Sequence, residues 1–238
     1  MHSLPSSPNR LLASLLPADL ELLRPHLKPT ELKHAEVLFD AGDKIDRVYF
    51  PHSGIISLVV ELAGGEAIEA AMIGRDSMLG ATSALDGEVS LNKAIVQLSG
   101  TGETLEVTKF REVAEQSLPL RTVLLRHEQV LFAQAQQSAA CNASHHVEAR
   151  LSRWLLRARD LSGSDTLELT QEFLGEMLGV RRSSVSPVAN DLQRTGLIHY
   201  NRGHIEITDL KGLQSLSCEC YATVKAHYDR LLNHATTK

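Results

Sequence analysis

Three cysteines stand in 238 residues, at Cys141, Cys218 and Cys220. A disulfide framework needs more of them in a shorter secreted chain, so none is expected. The first twenty residues hold a short apolar patch, but Asn9, Arg10 and Pro17 interrupt it. It lacks the unbroken apolar core of a secretory signal. No run approaches the length of a membrane span. These absences make the cytoplasm the expected compartment and leave the membrane out as a partner. Nor is there a surplus of positive charge, since the formal net charge is −5. The balance is uneven, however. Residues 1–144 carry 12 Lys+Arg against 18 Asp+Glu, and residues 145–238 carry 12 against 11. The C-terminal part is the better partner for a polyanion, and six of the eleven histidines lie there.

Catalytic groupings are missing too. No Ser/His/Asp set and no phosphate-binding glycine loop is present. Between His34 and His127 the only histidine is His52, so a jelly-roll metalloenzyme would lack its ligands. His145 and His146 are adjacent, and neighbours on a helix diverge by about 100°, which disfavours shared metal binding. No metal and no cofactor is expected.

What is present begins with a loose Pro/Ser tail over residues 1–9 and one or two short helices over 11–27. Residues 28–107 then change character. Strand-like runs at 37–39, 47–50, 55–62, 68–73, 94–98 and 105–107 are punctuated by glycines. Short strands with Gly turns predict an antiparallel barrel or jelly roll. Gly64-Gly65 suits a hairpin turn, because glycine reaches positive φ without a Cβ clash. A short helix over 109–116 stops before Pro119.

From Leu120 to Cys141 few helix breakers occur. Leu120, Leu124, His127, Leu131, Gln134 and Ser138 are spaced alternately by four and three, a heptad-like seam. It predicts a long dimer helix. A helix packed along its own barrel is the alternative that the same spacing allows. Residues 142–144 read as a hinge. Over 145–161, Leu151, Trp154, Leu155, Ala158 and Leu161 form an apolar face, and Arg150, Arg153, Arg157 and Arg159 are expected mostly to face out.

The stretch 169–197 is the most informative. Thr170 is a plausible N-cap. Phe173, Leu174, Met177 and Leu178 follow at helical spacing, and Gly179 suits the left-handed position that ends a helix. A second helix opens with Arg181, Arg182, Ser183, Ser184 and Ser186 and buries Val185, Val188, Ala189 and Leu192. This is the helix-turn-helix pattern. The runs 198–200 and 205–207, joined by Asn201-Arg202-Gly203, add a hairpin wing. Residues 209–235 read as one final helix.

With these elements in place the chain resembles the Crp-Fnr family, bacterial regulators related to the cyclic-AMP receptor protein and the fumarate-nitrate reduction regulator. The stretch LTQEFLGEMLGVRRSSVSPVANDLQRTGLIHYNRGHIEITD carries the resemblance most strongly, with Lys109-Phe110 and Ala149-Arg150-Leu151 in support. It implies an α+β fold: an antiparallel β-roll like the cyclic-nucleotide-binding jelly roll, a long dimerisation helix and a C-terminal winged helix-turn-helix. The divisions would be 1–117, 118–144 and 145–238. It also implies a homodimeric transcription regulator that reads double-stranded DNA. RNA polymerase would be touched through the loop at 162–166.

Arg182 matches the family arginine that forks onto a guanine. Ser183 stands where many members place a glutamate. Pro187 replaces a second DNA-contacting arginine, and inside a helix it clashes with the carbonyl four residues back, so a kink or altered helix start is expected. Thr170, Gln171 and Arg202 are candidates for phosphate contacts.

The cyclic-nucleotide cassette is incomplete. Gly80 matches its glycine, Ala81 replaces its glutamate, and Asn92-Lys93 stand where Arg-Ser or Arg-Thr belongs. Lys93 could attract an anion only as a point charge. Ala135 and Gln136 fall at the positions that meet the base. Gly80, Asn92, Lys93 and Gln136 are thus the candidate effector residues, and ordinary cyclic-AMP binding is not expected. The iron–sulfur members' N-terminal cysteines have no counterpart before Cys141. Cys141, near the seam, leaves a cross-dimer disulfide open. Cys218 and Cys220 on one helix would face apart, so inert or partly exposed thiols are expected, with a redox or metal role as the alternative.

Overall fold

A computed structural model describes residues 7–234. Most of the predicted 1–9 tail lies outside them, but Asn9 is not loose. It is buried, caps α1 (Arg10–Ser14) by accepting from the Leu12 N–H, and donates to the Pro51 and Ser77 carbonyls. A second short helix, α2 (Pro17–Leu23), leads into the strands.

The strands are β1 (Lys28–Leu32), β2 (Val37–Phe39), β3 (Arg47–Pro51), β4 (Ile55–Glu61), β5 (Ala67–Ile73), β6 (Lys93–Leu98) and β7 (Gly100–Glu106). They form two antiparallel sheets, ordered β1-β7-β3 and β2-β6-β4-β5. Phe39, Val48, Phe50, Ile56, Ile73, Val96 and Leu105 bury the inner faces, which is why these runs alternate. Gly65 turns β4 into β5 with φ +89°. β1 has no apolar alternation, and the sequence pattern missed it.

Next, α3 (Val107–Gln116) packs Phe110 into the roll, and α4 (Leu118–Ser144) follows directly. The helix ends at His145, so the break falls at His145-His146 rather than at 142–144. Helix α5 (Val147–Ser162) and β8 (Thr166–Glu168) precede the helix-turn-helix pair, α6 (Gln171–Leu178) and α7 (Arg182–Arg194). The wing is β9 (Ile198–Asn201) paired with β10 (His204–Ile207), with β8 on the far side of β10. The expected single final helix is two, α8 (Leu210–Leu216) and α9 (Cys220–His234). α9 does not stay with its neighbours in sequence. Its Val224, Tyr228, Leu231 and Leu232 join the core of the roll, against α4 and α1. A division at 145 therefore cuts through a packed core.

The arginines of α5 correct a second expectation. Arg150, Arg153 and Arg157 are buried. Arg157 forks onto Asp76 of the roll, at 2.7 and 3.2 Å, and lies 4.4 Å from the centre of the Tyr228 ring. Arg150 donates to the Leu178 carbonyl at the end of α6, where a cation complements the helix dipole. A helix facing another domain can bury guanidinium groups where Asp76 and the Leu178 carbonyl pair with Arg157 and Arg150 and where Arg153 lies near the Glu69 carboxyl, and the spacing of residues alone does not reveal that.

Beside the Arg157 pair, Glu69 of β5 is buried, with Ser57 and the Trp154 indole N–H (2.8 Å) on its carboxylate. Burial pushes its pKa up to about 7, and the Ser57 and Trp154 bonds and the charges of Arg153 and Arg157 only partly offset this. The folded protein therefore holds a proton that the unfolded chain releases above its ordinary carboxylate pKa of 4.5. Between those two values stability falls as pH rises, by about 3 kcal/mol across the window. Glu69→Gln should remove that slope. Urea unfolding at stepped pH from 5 to 8 checks it, and a slope equal to that of the parent chain refutes the assignment.

Candidate nucleic-acid interface

Local chemistry builds the helix pair. The Thr170 hydroxyl accepts from the Phe173 N–H at 3.2 Å and starts α6. Gly179 ends it at φ +61°, ψ +39°, a conformation costly for residues with a Cβ. Val180 and Arg181 then span the turn. Leu174, Met177 and Leu178 of α6 meet Val185, Ala189 and Leu192 of α7 in a core shared with Leu151, Trp154 and Leu155. Gly175 lets the two helices close. A Cβ there would lie 2.9 Å from the Val180 carbonyl oxygen. The sequence reading did not single it out, although a glycine inside a short helix is a signal of close approach.

Arg181, Arg182, Ser183 and Ser184 are all exposed at the opening of α7. Arg181 is the extended residue before the helix, and Arg182 is its first residue. The free N–H groups of that turn and the positive end of the helix dipole lie at the same end of α7 as Arg181 and Arg182, which favours an anion. Ser186 is drawn inward, its hydroxyl donating to Gln171 Oε1 at 2.6 Å. Only the amide NH2 of Gln171 then remains for a phosphate. Pro187 is exposed in the second turn, and α7 runs past it as one element to Arg194. The Ser183 carbonyl loses its helical partner there, but it belongs to an exposed residue that water can reach.

Thr170 and Arg202 sit apart from this face. Arg202 is at the wing tip with φ +44°, followed by Gly203 at +87°. Both residues line a cleft of about 360 Å³ whose other wall is His34, Gln97 and Ser99 of the roll. The helix pair also touches the roll through Gln97 Nε2, 3.4 Å from the Met177 sulfur.

The candidate dimer seam requires a correction. Leu120, Leu124, His127, Gln134 and Ser138 are buried within their own chain. His127 Nε2 accepts the Met78 N–H at 3.3 Å and lies 2.7 Å from Ser77 Oγ, and Gln134 donates to the Met72 carbonyl. Leu131 is partly buried against the roll. That seam is the inner face of α4. The outer face carries Leu118, Leu125 and Phe132, seven residues apart and 76%, 54% and 65% exposed, with exposed Ala139 next in register.

Between the roll and α4 lies a cavity of about 550 Å³. Gly80 and Asn92 line it, but Lys93 and Gln136 do not. Lys93 bonds Glu61 at 2.7 Å and lies 3.5 Å from Asp40, and the Glu61 carboxylate raises its pKa. Gln136 is exposed on α4. Most of the wall is apolar, and its ionisable groups are Glu88 and Glu128, with no Lys or Arg.

Residues 149–216 match the family model of the Crp-like helix-turn-helix domain, and residues 29–117 match that of the cyclic nucleotide-binding domain. The chain belongs to the Crp-Fnr family of transcription regulators. Its helix pair is accordingly a DNA-binding helix-turn-helix, and the family is one of regulators, not enzymes. The chain is 23% identical over 195 residues to the transcriptional regulatory protein Btr of Bordetella pertussis, covering 78% of this chain and 79% of that one. FixK2 from Bradyrhizobium japonicum superposes with a TM-score of 0.69 at 15% identity, over 81% of this chain and 98% of that one. A CRP-family regulator of Thermus thermophilus gives 0.64 at 22% identity, over 79% and 96%. These similarities show a shared fold. No helix among the described residues is long and apolar enough to cross a membrane.

Gly175→Val should separate α6 from α7 and destabilise the protein by about 1–3 kcal/mol, the usual cost of overpacking. Chemical denaturation measures it, and an unchanged midpoint would show that the helices do not need this close approach.

Proposed function

We propose that the protein binds DNA as a homodimer, with one α7 in each of two half-sites about one helical turn apart. The observation that carries this reading is the split character of α7. Its apolar residues are buried in the domain core, while Arg181, Arg182, Ser183 and Ser184 stand free at its start. Arg182 is the base reader, since its fork suits guanine O6 and N7. Arg181 and the serines hold phosphates. The Gln171 amide NH2 adds to them beside Ser186, and Thr170 and Arg202 join once the cleft against the roll opens.

The second copy covers the outer face of α4. Leu118, Leu125 and Phe132 repeat at the heptad interval and would be costly to leave in water, so two such stripes suit a paired-helix contact. Phe132 also lines the roll cavity, together with Glu128, Leu131 and Ala135 of the same helix. An occupant of the cavity would thus press on the dimer contact, and a population shift in α4 would reset the spacing of the two α7 helices. The cavity has no cation for a cyclic phosphate, and its two carboxylates would repel one. The effector is therefore not cyclic AMP held in the family's usual way, and a mainly uncharged molecule fits the wall better. The exposed loop at 163–165 is free to meet RNA polymerase. A cytoplasmic setting goes with this role.

Sites selected from a random duplex library should contain two related halves. Arg182→Ala should weaken the selected site by about 1–3 kcal/mol, with most of the loss at one guanine position. Cyclic AMP added to the same gel shifts should leave affinity unchanged. Equal affinity of the Arg182→Ala variant, or a marked gain with cyclic AMP, would count against the respective assignment.

Leu125→Asp with Phe132→Asp should convert a dimer to a monomer in sedimentation equilibrium, with near-native circular dichroism. A dimer that survives both substitutions places the contact elsewhere.

A further inference from the structure

DNA reading makes no use of a cluster of side chains at the break between α4 and α5. Cys141 lies in the last turn of α4, and His145 is the extended residue that follows it. Cys218 lies in the break between α8 and α9, and Cys220 opens α9. That break is why the two cysteines converge. On a continuous helix they would face apart. All three thiols are buried and unlinked.

Cys141 Sγ is 3.5 Å from Cys218 Sγ, and Cys220 Sγ is 3.6 Å from His145 Nδ1. The four ligand atoms lie within 4.8 Å of one another. A tetrahedral zinc ion with Zn–S of about 2.3 Å and Zn–N of about 2.0–2.1 Å needs its ligand atoms roughly 3.5–3.8 Å apart. Two of the contacts already have that length, and no other pair must contract by more than about 1 Å. A multinuclear iron–sulfur cluster would hold its ligands farther apart. A disulfide would need its sulfurs at about 2.05 Å.

The surroundings complete the arrangement. His145 Nε2 lies 3.4 Å from a Glu219 carboxylate oxygen, leaving Nδ1 toward the sulfurs. A carboxylate behind a ligating histidine fixes its ring and raises its basicity. The Gln137 amide donates to Cys220 Sγ at 3.1 Å. Three thiolates exceed the charge of a divalent ion by one, and the buried guanidinium groups of Arg150 and Arg153 act on Cys141.

We propose that Cys141, His145, Cys218 and Cys220 form a closed four-coordinate site for one thiophilic divalent cation, Zn2+ foremost. Binding releases the three thiol protons and forms three metal–sulfur bonds and one metal–nitrogen bond, with no change of oxidation state. The ion fastens the end of the dimer helix to the α8–α9 break. It thereby fixes the joint on which the DNA-binding domain is carried. With four protein ligands it has no open position for chemistry.

The test uses the full-length chain, reduced, stripped of metal and titrated with Zn2+ or Co2+. One ion per chain is expected, and Co2+ should give a thiolate-to-cobalt charge-transfer band with the intense visible bands of a tetrahedral centre. Cys218→Ser should lose most of that band and at least 100-fold in Zn2+ affinity. Glu219→Gln, whose side chain is largely exposed, should keep the fold and weaken Zn2+ binding about 10–100-fold. It keeps the test decisive if Cys218→Ser does not fold. Binding well below one ion per chain, a six-coordinate cobalt spectrum, unchanged affinity in Glu219→Gln, or an iron–sulfur chromophore after anaerobic purification would each overturn the proposal.

Discussion

The buried pair of Arg157 and Asp76 is the constraint on which the rest of the structure depends. One partner comes from the first helix after the break and the other from the loop that leaves β5. Taking both charges out of water costs several kcal/mol each, and the attraction repays this only with good geometry. Here the geometry is a two-point fork, and the guanidinium also lies against the Tyr228 ring. Removing one member of such a pair strands the other and costs about 3–5 kcal/mol. The roll, α5 and α9 are therefore held in one mutual arrangement, because each supplies a part of the same buried charge cluster.

That arrangement decides what a signal has to do. Glu69 stands next to the pair and binds the Trp154 indole, and Trp154 meets Phe173 of α6 edge to face at 5.9 Å. A short path of packed groups thus joins the inside of the roll to the helix before the DNA-reading helix. Its polar members are satisfied only when the domains are docked. Opening the cleft by Thr170 and Arg202 while α5 turned against the roll would expose or strand them, so movement within α6 and the wing, with α5 held, is the less costly route. Rotation of the whole domain about the joint would have to break the Arg157 pair.

How much of this was legible in the sequence follows from which forces leave a local trace. The helix-turn-helix was legible nearly to its ends, because Thr170, Gly179 and the 3–4 spacing of apolar residues act within a few positions of one another. The roll was legible as strands with Gly turns, except β1, whose Lys28, Pro29, Thr30 and Glu31 give no alternation. The heptad on α4 was real but belonged to the inner face. A helix that packs on one side and exposes apolar residues on the other carries two stripes, and Leu120, Leu124 and Leu131 make the inner one the stronger in the sequence. The outer stripe of Leu118, Leu125 and Phe132 is interrupted by Arg121, Gln129 and other polar residues. The burial of Arg150, Arg153 and Arg157 leaves no local trace, because a charged residue is usually solvated and the partners of Arg150 and Arg157 lie tens of residues away. The cysteines failed for the same reason. Cys141 and Cys218 are 77 positions apart, and only the fold makes them neighbours.

The cavity shows how far family membership reaches. The match over 29–117 spans the strands of the two sheets, and the α4 wall of the cavity lies beyond it. It does not fix the charge inside. A cyclic nucleotide is recognised through its phosphate, and a buried phosphate without a cation would have to surrender its water for little in return. The chain keeps Gly80, at φ +90°, with the site of a Cβ only 3.2 Å from the Arg47 carbonyl oxygen and from Val48. The turn at Gly80 requires a residue without a side chain. Ala81 and Asn92 line the cavity without a charge, and Lys93 is drawn outward to Glu61 and Asp40. Folding demands the shape of the turn and of the sheets but not the charge on the cavity wall, so a shared fold does not carry a shared ligand with it.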